Sequence, residues 1–337
     1  MMKRIGLVLL LLLCALAIAA ATGWGALAIY YSDIKSEDVR TAIAATFGAV
    51  GLVAVLALCL RRWRWRAAGA FVLLLALLVA WWSHIEPSND RDWQTDVAVL
   101  PYVTIDGDRY TVHNIRNFDY RTETDFTPHY YDRTFDLNKL QGVDLVASYW
   151  MGPAIAHIFV SFDFGSDGHL AVSIETRKEK TEAYSTIKGF FRQYELYYVV
   201  ADERDLIRVR TNYRKDPPED VYVYRIHGPI ENGHRTFMEY MRAINSLKVK
   251  PEFYNTLTTN CTTTIWMNTR VNPGHVPLSW KVLASGYVPD YLYEIGRLDT
   301  SVPFEELRRR SHVNARAQAA DKAANFSELI RKPAPGG

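Results

Sequence analysis

The sequence predicts an α+β protein in which three N-terminal transmembrane helices precede a domain of antiparallel sheet and helices. Three observations carry this reading. Apolar residues crowd the first quarter of a 337-residue chain that is 49% hydrophobic. Further on, the pattern turns to two-residue alternation, the mark of a half-buried strand. Around Gly228 to Leu247 it turns to three- and four-residue steps, the mark of a helix.

The membrane segment comes first. Ile5 to Tyr31 carries no charge, and Thr41 to Leu60 repeats the pattern; each exceeds or matches the roughly 20 apolar residues that a bilayer crossing needs. Ala67 to Trp82 is shorter but ends in tryptophans suited to the membrane interface. A signal peptide would also begin like "MMKR", but the first run is long for one and two more spans follow. The positive-inside rule puts "MMKR" and "RRWRWR" (Arg61 to Arg66) in the cytoplasm, which leaves the chain after His84 outside. In a bacterium this describes a multi-pass inner-membrane protein with a periplasmic C-terminal domain. The arginine–tryptophan cluster fits membrane lipids as its partner, by snorkelling, and no nucleic acid.

Residues 1–84 thus form the anchor. Residues 85–142 read as a strand-rich lead-in with a hairpin about Asp106-Gly107, and residues 143–337 as the main domain, ending in a charged, alanine-rich surface helix from Phe304 to Ile330. No HExxH, no clustered Cys/His spacing and no glycine-rich phosphate loop is present, so neither a metal nor a cofactor is expected.

Cysteine usage singles out one residue. Cys14 and Cys59 lie inside predicted spans, and Cys261 is the only cysteine outside them. An unpaired thiol in an oxidising compartment is liable to oxidation, so its presence there asks for a reason. It stands in "YNTLTTNCTTTIWMN", where Asn260 or Thr259 can cap a helix over Thr262–Arg270. At a helix's first turn the dipole and free N–H groups lower a thiol's pKa. The alternative is a buried, inert cysteine that packs as a small hydrophobe.

A nucleophilic thiol needs a base. His84 sits at the membrane edge, and His113, His129, His227, His234, His275 and His312 sit in polar stretches. His157 differs: in "AIAHIFVSFDF", Ile158, Val160, Phe162 and Phe164 share one face and His157, Phe159, Ser161 and Asp163 the other. After "GSDG", the run "HLAVSIETR" alternates again, with Leu170, Val172 and Ile174 apolar and His169, Ala171, Ser173, Glu175 and Arg177 opposite. The two strands form a hairpin, and matching their apolar faces makes even residues oppose even and odd oppose odd. His157 and Glu175 then share a face, opposite or diagonal, so Glu175 is the candidate orienter of the imidazole, with His169, Ser173 and Asp163 on the same face. Thiol, imidazole and orienting acceptor are the parts of an activated nucleophile. The bland alternative is a solvent-facing polar surface.

The segments "GPAIAHIFVSFDF", "SIETRKE", "YELYYVVADERD" and "FYNTLTTNCTT" resemble the Lnb N-terminal periplasmic domain family, which includes lipoprotein N-acyltransferases. More broadly, a histidine on a strand and a later "NC" at a helix start resemble the circularly permuted papain-like, NlpC-related thiol enzymes. The resemblance spans Val143 to Arg270. It implies Cys261 as nucleophile and His157 as base in a papain-like domain. The family's acyltransferases carry their periplasmic domain before their membrane helices, whereas here the spans come first. The expected chemistry is attack of the Cys261 thiolate on an ester or amide carbonyl, with the oxyanion held by the Cys261 N–H and the Asn260 side chain, unless Asn260 only caps. The acyl group then passes to an amine, such as a lipoprotein N-terminus, or to water. A cell-wall peptidase or amidase acting on peptidoglycan, and a non-catalytic envelope binding or assembly module, are the competing readings. An acidic, aromatic groove favours the peptidase, and a thiol inert to iodoacetamide favours the binding module.

Overall fold

The structure is a computed structural model that describes residues 2–332; the end of the chain beyond Lys332 lies outside the described residues. Two compact units emerge. One holds the described residues up to Ser88 together with Ser185–Tyr194; the other holds Asn89–Tyr184 and the described residues from Glu195 onward.

The first unit is built on α1 (Met2–Tyr30), α2 (Glu37–Ala57) and α3 (Arg64–Ser83), all long and apolar enough to cross a membrane. Ser36 caps α2 by accepting from the Val39 N–H, and Glu37 and Asp38 occupy its positive first turn. Gly51 lies against Thr22, and Gly25 against Phe47 and Leu78, at distances that leave no room for a Cβ. Small residues at such crossings let membrane helices approach closely. The outlying segment Ser185–Tyr194 joins this unit through Arg192, whose Nη1 donates to the carbonyls of Trp82, Ser83 and Ile85 while its guanidinium lies 4.2 Å over the Trp82 ring. Those carbonyls sit at the C-terminal end of α3, where helix acceptors lack intrahelical partners and the dipole favours a cation.

The second unit is a mixed α+β domain around an eight-stranded sheet. Its strands are β1 (Tyr102–Asp106), β2 (Arg109–Arg116), β5 (Tyr130–Asp136), β6 (Gly142–Tyr149), β7 (Ala156–Asp163), β8 (His169–Arg177), β9 (Glu195–Ala201) and β10 (Asp220–Arg225). The short pair β3 (Asp119–Tyr120) and β4 (Phe126–Thr127) stands apart. The main order is β1-β2-β9-β8-β7-β6-β10, with β5 paired to β2, so the strands of the lead-in extend the same sheet. The β1–β2 hairpin turns at Gly107, whose φ of +56° suits a residue without Cβ.

Parity in the β7–β8 hairpin is as expected: Val160 opposes Val172, Phe162 opposes Leu170, and Asp163 opposes His169. Neither face is solvated. The even face meets α5 (Ile230–Val249), where Phe162 packs edge-on to Phe237 and Tyr240 with centroids 5.2 and 5.5 Å apart. The odd face carries Phe159, Ala171, Val199 and Val146 into a core with Leu206 and Ile207 of α4 (Glu203–Arg208). Val313, Ala317, Phe326 and Ile330 complete that core. The expected single surface helix after Phe304 is three short ones, α9 (Phe304–Ser311), α10 (Asn314–Ala319) and α11 (Phe326–Leu329), and the apolar residues in and beside the last two form one wall of the domain. Before them come α6 (Cys261–Thr269), α7 (Trp280–Leu283) and α8 (Val288–Glu294).

Candidate active site

Cys261 is the first residue of α6, and the residue before it makes that start rigid. Asn260 is extended and forms a capping box: its Oδ1 accepts from the N–H groups of Thr262 and Thr263, both at 2.9 Å, and the Thr263 hydroxyl accepts from the Asn260 N–H. Its Nδ2 donates to the Thr256 carbonyl at 2.7 Å. The Asn260 side chain thus caps the helix and ties it to the loop, with one of its two Nδ2 hydrogens engaged by the Thr256 carbonyl. The cap serves Thr262 and Thr263 and leaves the Cys261 N–H as the first-turn donor it does not use.

His157 stands near the start of β7, on the odd face, and is an electrostatic neighbour of Cys261. Its Nε2 lies 2.7 Å from Ser173 Oγ, and Ser173 Oγ lies 2.9 Å from Glu175 Oε1. Glu175 itself is 3.5 Å from Nε2. An ionised carboxylate only accepts, so the Ser173 hydroxyl proton points to Glu175 and its oxygen receives the Nε2–H. This assigns the tautomer: Nδ1 is left without a proton, as the nitrogen able to take one from the thiol. His157, Ser173 and Glu175 come together as the hairpin parity requires. Asp163 and His169 do not: they face each other at 3.6 Å at the turn end of the hairpin, where Asp163 also pairs with Arg225 at 2.7 Å.

The electrostatics favour an ion pair. Burial pushes the Cys261 thiol up, but the proximity and charge of His157, the Ile158 N–H and the Thr262 hydroxyl together bring it down to about 7. Burial and the nearby Arg210 oppose a charged imidazole, yet the proximity of Cys261 and of the Glu175 carboxylate leaves His157 raised above its ordinary value. Glu175 would be raised by burial, but the neighbouring His157 and the charge of Arg210 hold it well below the usual carboxylate range.

Three participants escaped sequence reasoning. Arg210, almost fully buried, donates to Glu175 at 3.0 Å and to Glu219 at 3.3 Å. Glu219 also accepts from Arg214 at 2.6 Å and from the Ser148 hydroxyl. Ser148 is the ladder partner of His157 on β6. In the sequence, Arg210 sits among Arg208 and Arg214, and nothing in that spacing separates a buried arginine from a surface one.

A cavity of about 240 Å³ lies on the even face of the sheet, beside α6. Thr262 and Ile158, both next to the Cys261–His157 pair, line it, and Leu145, Val160, Ile265 and Leu292 continue a mostly apolar wall; Cys261 and His157 stand outside it. Elsewhere on the odd face, Asp144, His169 and Glu203 bring ligand-type atoms within 4.8 Å of one another. Arg331 pairs with Asp144 at 2.6 Å and Glu203 at 2.5 Å, and Arg225 with Asp144 at 2.8 Å, so this cluster already holds its own cations.

No curated protein and no solved structure matches the chain. Residues 126–286 match the model of the Lnb N-terminal periplasmic domain, a stretch that contains Cys261, His157, Glu175, Asn260 and also Ser148, Arg210 and Glu219. It begins before the resemblance legible from Val143 and runs past Arg270. That stretch is thus similar to the Lnb N-terminal periplasmic domain, in a chain that also has three membrane-length helices.

Proposed function

We propose that this protein is a multi-pass inner-membrane thiol acyltransferase or hydrolase of the papain-like type, with its C-terminal domain in the periplasm. The observation that carries the reading is the Cys261–His157 pair at a capped helix start, with the thiol brought down to about 7. In the first step the Cys261 sulfur adds to an ester or amide carbonyl, and the Cys261 N–H stabilises the oxyanion. As the intermediate collapses, His157 gives its proton to the leaving alcohol or amine, and an acyl thioester remains. An amine or water then attacks the thioester, yields its proton to His157, and the thiolate leaves.

The apolar cavity beside α6 supports an acyl donor with a hydrocarbon chain, such as a membrane phospholipid, over a peptidoglycan stem peptide, whose groove would be acidic and aromatic. The acceptor that fits a membrane-anchored periplasmic domain is a lipoprotein N-terminus. Intact mass spectrometry of the protein purified from membranes tests the reading. An added mass equal to an acyl group, removed by neutral hydroxylamine and missing in Cys261→Ser, is the expected result. A protein that never carries such a mass, even after incubation with phospholipid vesicles and an activated acyl ester, overturns it.

A further inference from the structure

We infer that Arg210 is a positioning residue for the nucleophile: by bridging Glu175 and Glu219 it fixes the carboxylate that, through Ser173, orients His157. The inference rests on the thiol-enzyme reading above and adds a residue and a mechanism to it.

Ser148, His157 and Ser173 with Glu175 lie on the adjacent strands β6, β7 and β8, and all face the α4 side of the sheet. Beneath them α4 widens into a π turn over Val209–Tyr213, closed by the Arg214 N–H on the Val209 carbonyl at 2.9 Å. Such turns are uncommon and cluster at functional sites, because the extra residue redirects side chains. Arg210, in this turn, has its guanidinium 5.5 Å over the Phe159 ring and spans the two carboxylates. A closed circuit results: Ser148 to Glu219, Glu219 to Arg210, Arg210 to Glu175, Glu175 to Ser173, Ser173 to His157, and His157 back to its ladder partner Ser148.

The circuit has a mechanical and an electrical consequence. Mechanically, Glu175 is partly exposed and reaches His157 directly only at 3.5 Å, so its hold on the imidazole depends on Ser173 and on the far side of the carboxylate being pinned. Lysine offers a point charge and cannot span both acids, whereas the planar guanidinium can. Electrically, the charged groups that face Glu175 are His157 on β7, Arg210 and Arg214 from the π turn and its end, and Arg116 on β2; Tyr197 is its neighbour on β9. Glu175 and Glu219 balance Arg210 and Arg214, which leaves the imidazolium–thiolate pair to form without a further counter-ion. Without Arg210, one acid is left uncompensated below the sheet, and a buried unpaired carboxylate protonates or moves. Either response loosens His157, and where that loss outweighs the relief of the Arg210 charge that opposes the imidazolium, the thiol returns toward its ordinary value.

The test reads the thiol directly and needs no substrate. The full-length protein in detergent is alkylated with iodoacetamide across a pH series, and the modification of the Cys261 peptide is followed by mass spectrometry. The parent should show a midpoint near 7; a midpoint near 9 overturns the thiol-enzyme reading itself. Given the parent result, Arg210→Met should raise the midpoint by about one pH unit, about a tenfold loss of thiolate at neutral pH. Glu175→Gln should shift it similarly, and the double variant no further than the larger single shift, since both act through one contact. Arg210→Lys keeps a charge without the bridge and should fall between parent and Arg210→Met; it also serves if the methionine variant does not fold. A folded lysine or methionine variant with the parental midpoint, or single shifts that simply add in the double variant, overturns the inference and leaves Arg210 as a structural residue.

Discussion

The Nε2 of His157 meets the hydroxyl of Ser173 at 2.7 Å, and only through that hydroxyl the carboxylate of Glu175. The orienting element is therefore a serine–glutamate pair on one face of β8, and the two residues differ in how their loss is felt.

Ser173→Ala removes the bridge and leaves the carboxylate 3.5 Å from the ring, too far and unaligned for a strong hydrogen bond. Turnover should fall by about 10- to 100-fold with little change in thermal stability. Glu175→Gln keeps the shape but presents a neutral group to His157 and Arg210, and should cost as much or more. Steady-state rates on a chromogenic ester, with melting curves beside them, separate the two effects.

Cys261→Ser should leave a folded, membrane-inserted protein with activity lower by more than about a hundredfold, because a hydroxyl has no pKa that helix and imidazole can bring into range. His157→Ala should resemble it, and the double variant should be little worse than either. Retained activity in Cys261→Ser would mean that the chemistry does not pass through sulfur.

The pH dependence has a definite sign. The folded pKa of Cys261 is depressed, so its contribution to stability is fully present above the ordinary 9.0 and is lost as pH falls through about 7. The Glu175 carboxylate is depressed as well, so its contribution is present above 4.5 and lost on further acidification. Urea melts of the parent against Cys261→Ser should diverge between pH 7 and 9, and against Glu175→Gln should converge below pH 4.5.

Gly286 offers a test that changes none of the site's own side chains. A Cβ there would lie 2.1 Å from the Pro153 carbonyl oxygen and 2.7 Å from the Ala154 carbonyl carbon, backbone atoms that cannot swing aside. The Gly286 N–H donates to the Ala154 carbonyl, and the neighbouring Ser285 hydroxyl accepts from the Ala156 N–H, so this loop holds the chain just before His157. Gly286→Ala should cost about 1–3 kcal/mol, the usual range for overpacking, and should slow alkylation of Cys261 at neutral pH. A variant with parental melting and parental alkylation would show that the contact is slack.

The sequence made the membrane helices legible because hydropathy alone defines them, and it made the β7–β8 pairing legible because parity leaves few choices. It misled where polarity stood for exposure. The face that carries His157, Ser161, Ser173 and Glu175 left a solvent-facing surface open as the bland alternative, yet Ser161 and Ser173 are fully buried. The tail after Phe304 misled for the same reason: it is rich in charge, but Val313, Ala317, Phe326 and Ile330 are spaced to reach one core. Asn260 was legible as a cap, and Thr262 and Thr263 receive it as one. Arg210 gave no signal, since a buried arginine is defined by the acids that surround it in space.

The alternation of β7 and β8 also governs how such a gene can change. Substitutions along the two strands keep the odd residues facing α4, but a single codon gained or lost between His157 and Val160 turns the imidazole to the α5 side, away from Ser173, while every later pair stays in place. Lengthening the Gly165–Gly168 turn leaves the strands untouched. Descendants of this sequence are therefore expected to vary in length at the turn and to be invariant in length along the strand that precedes it, whatever residues they place there.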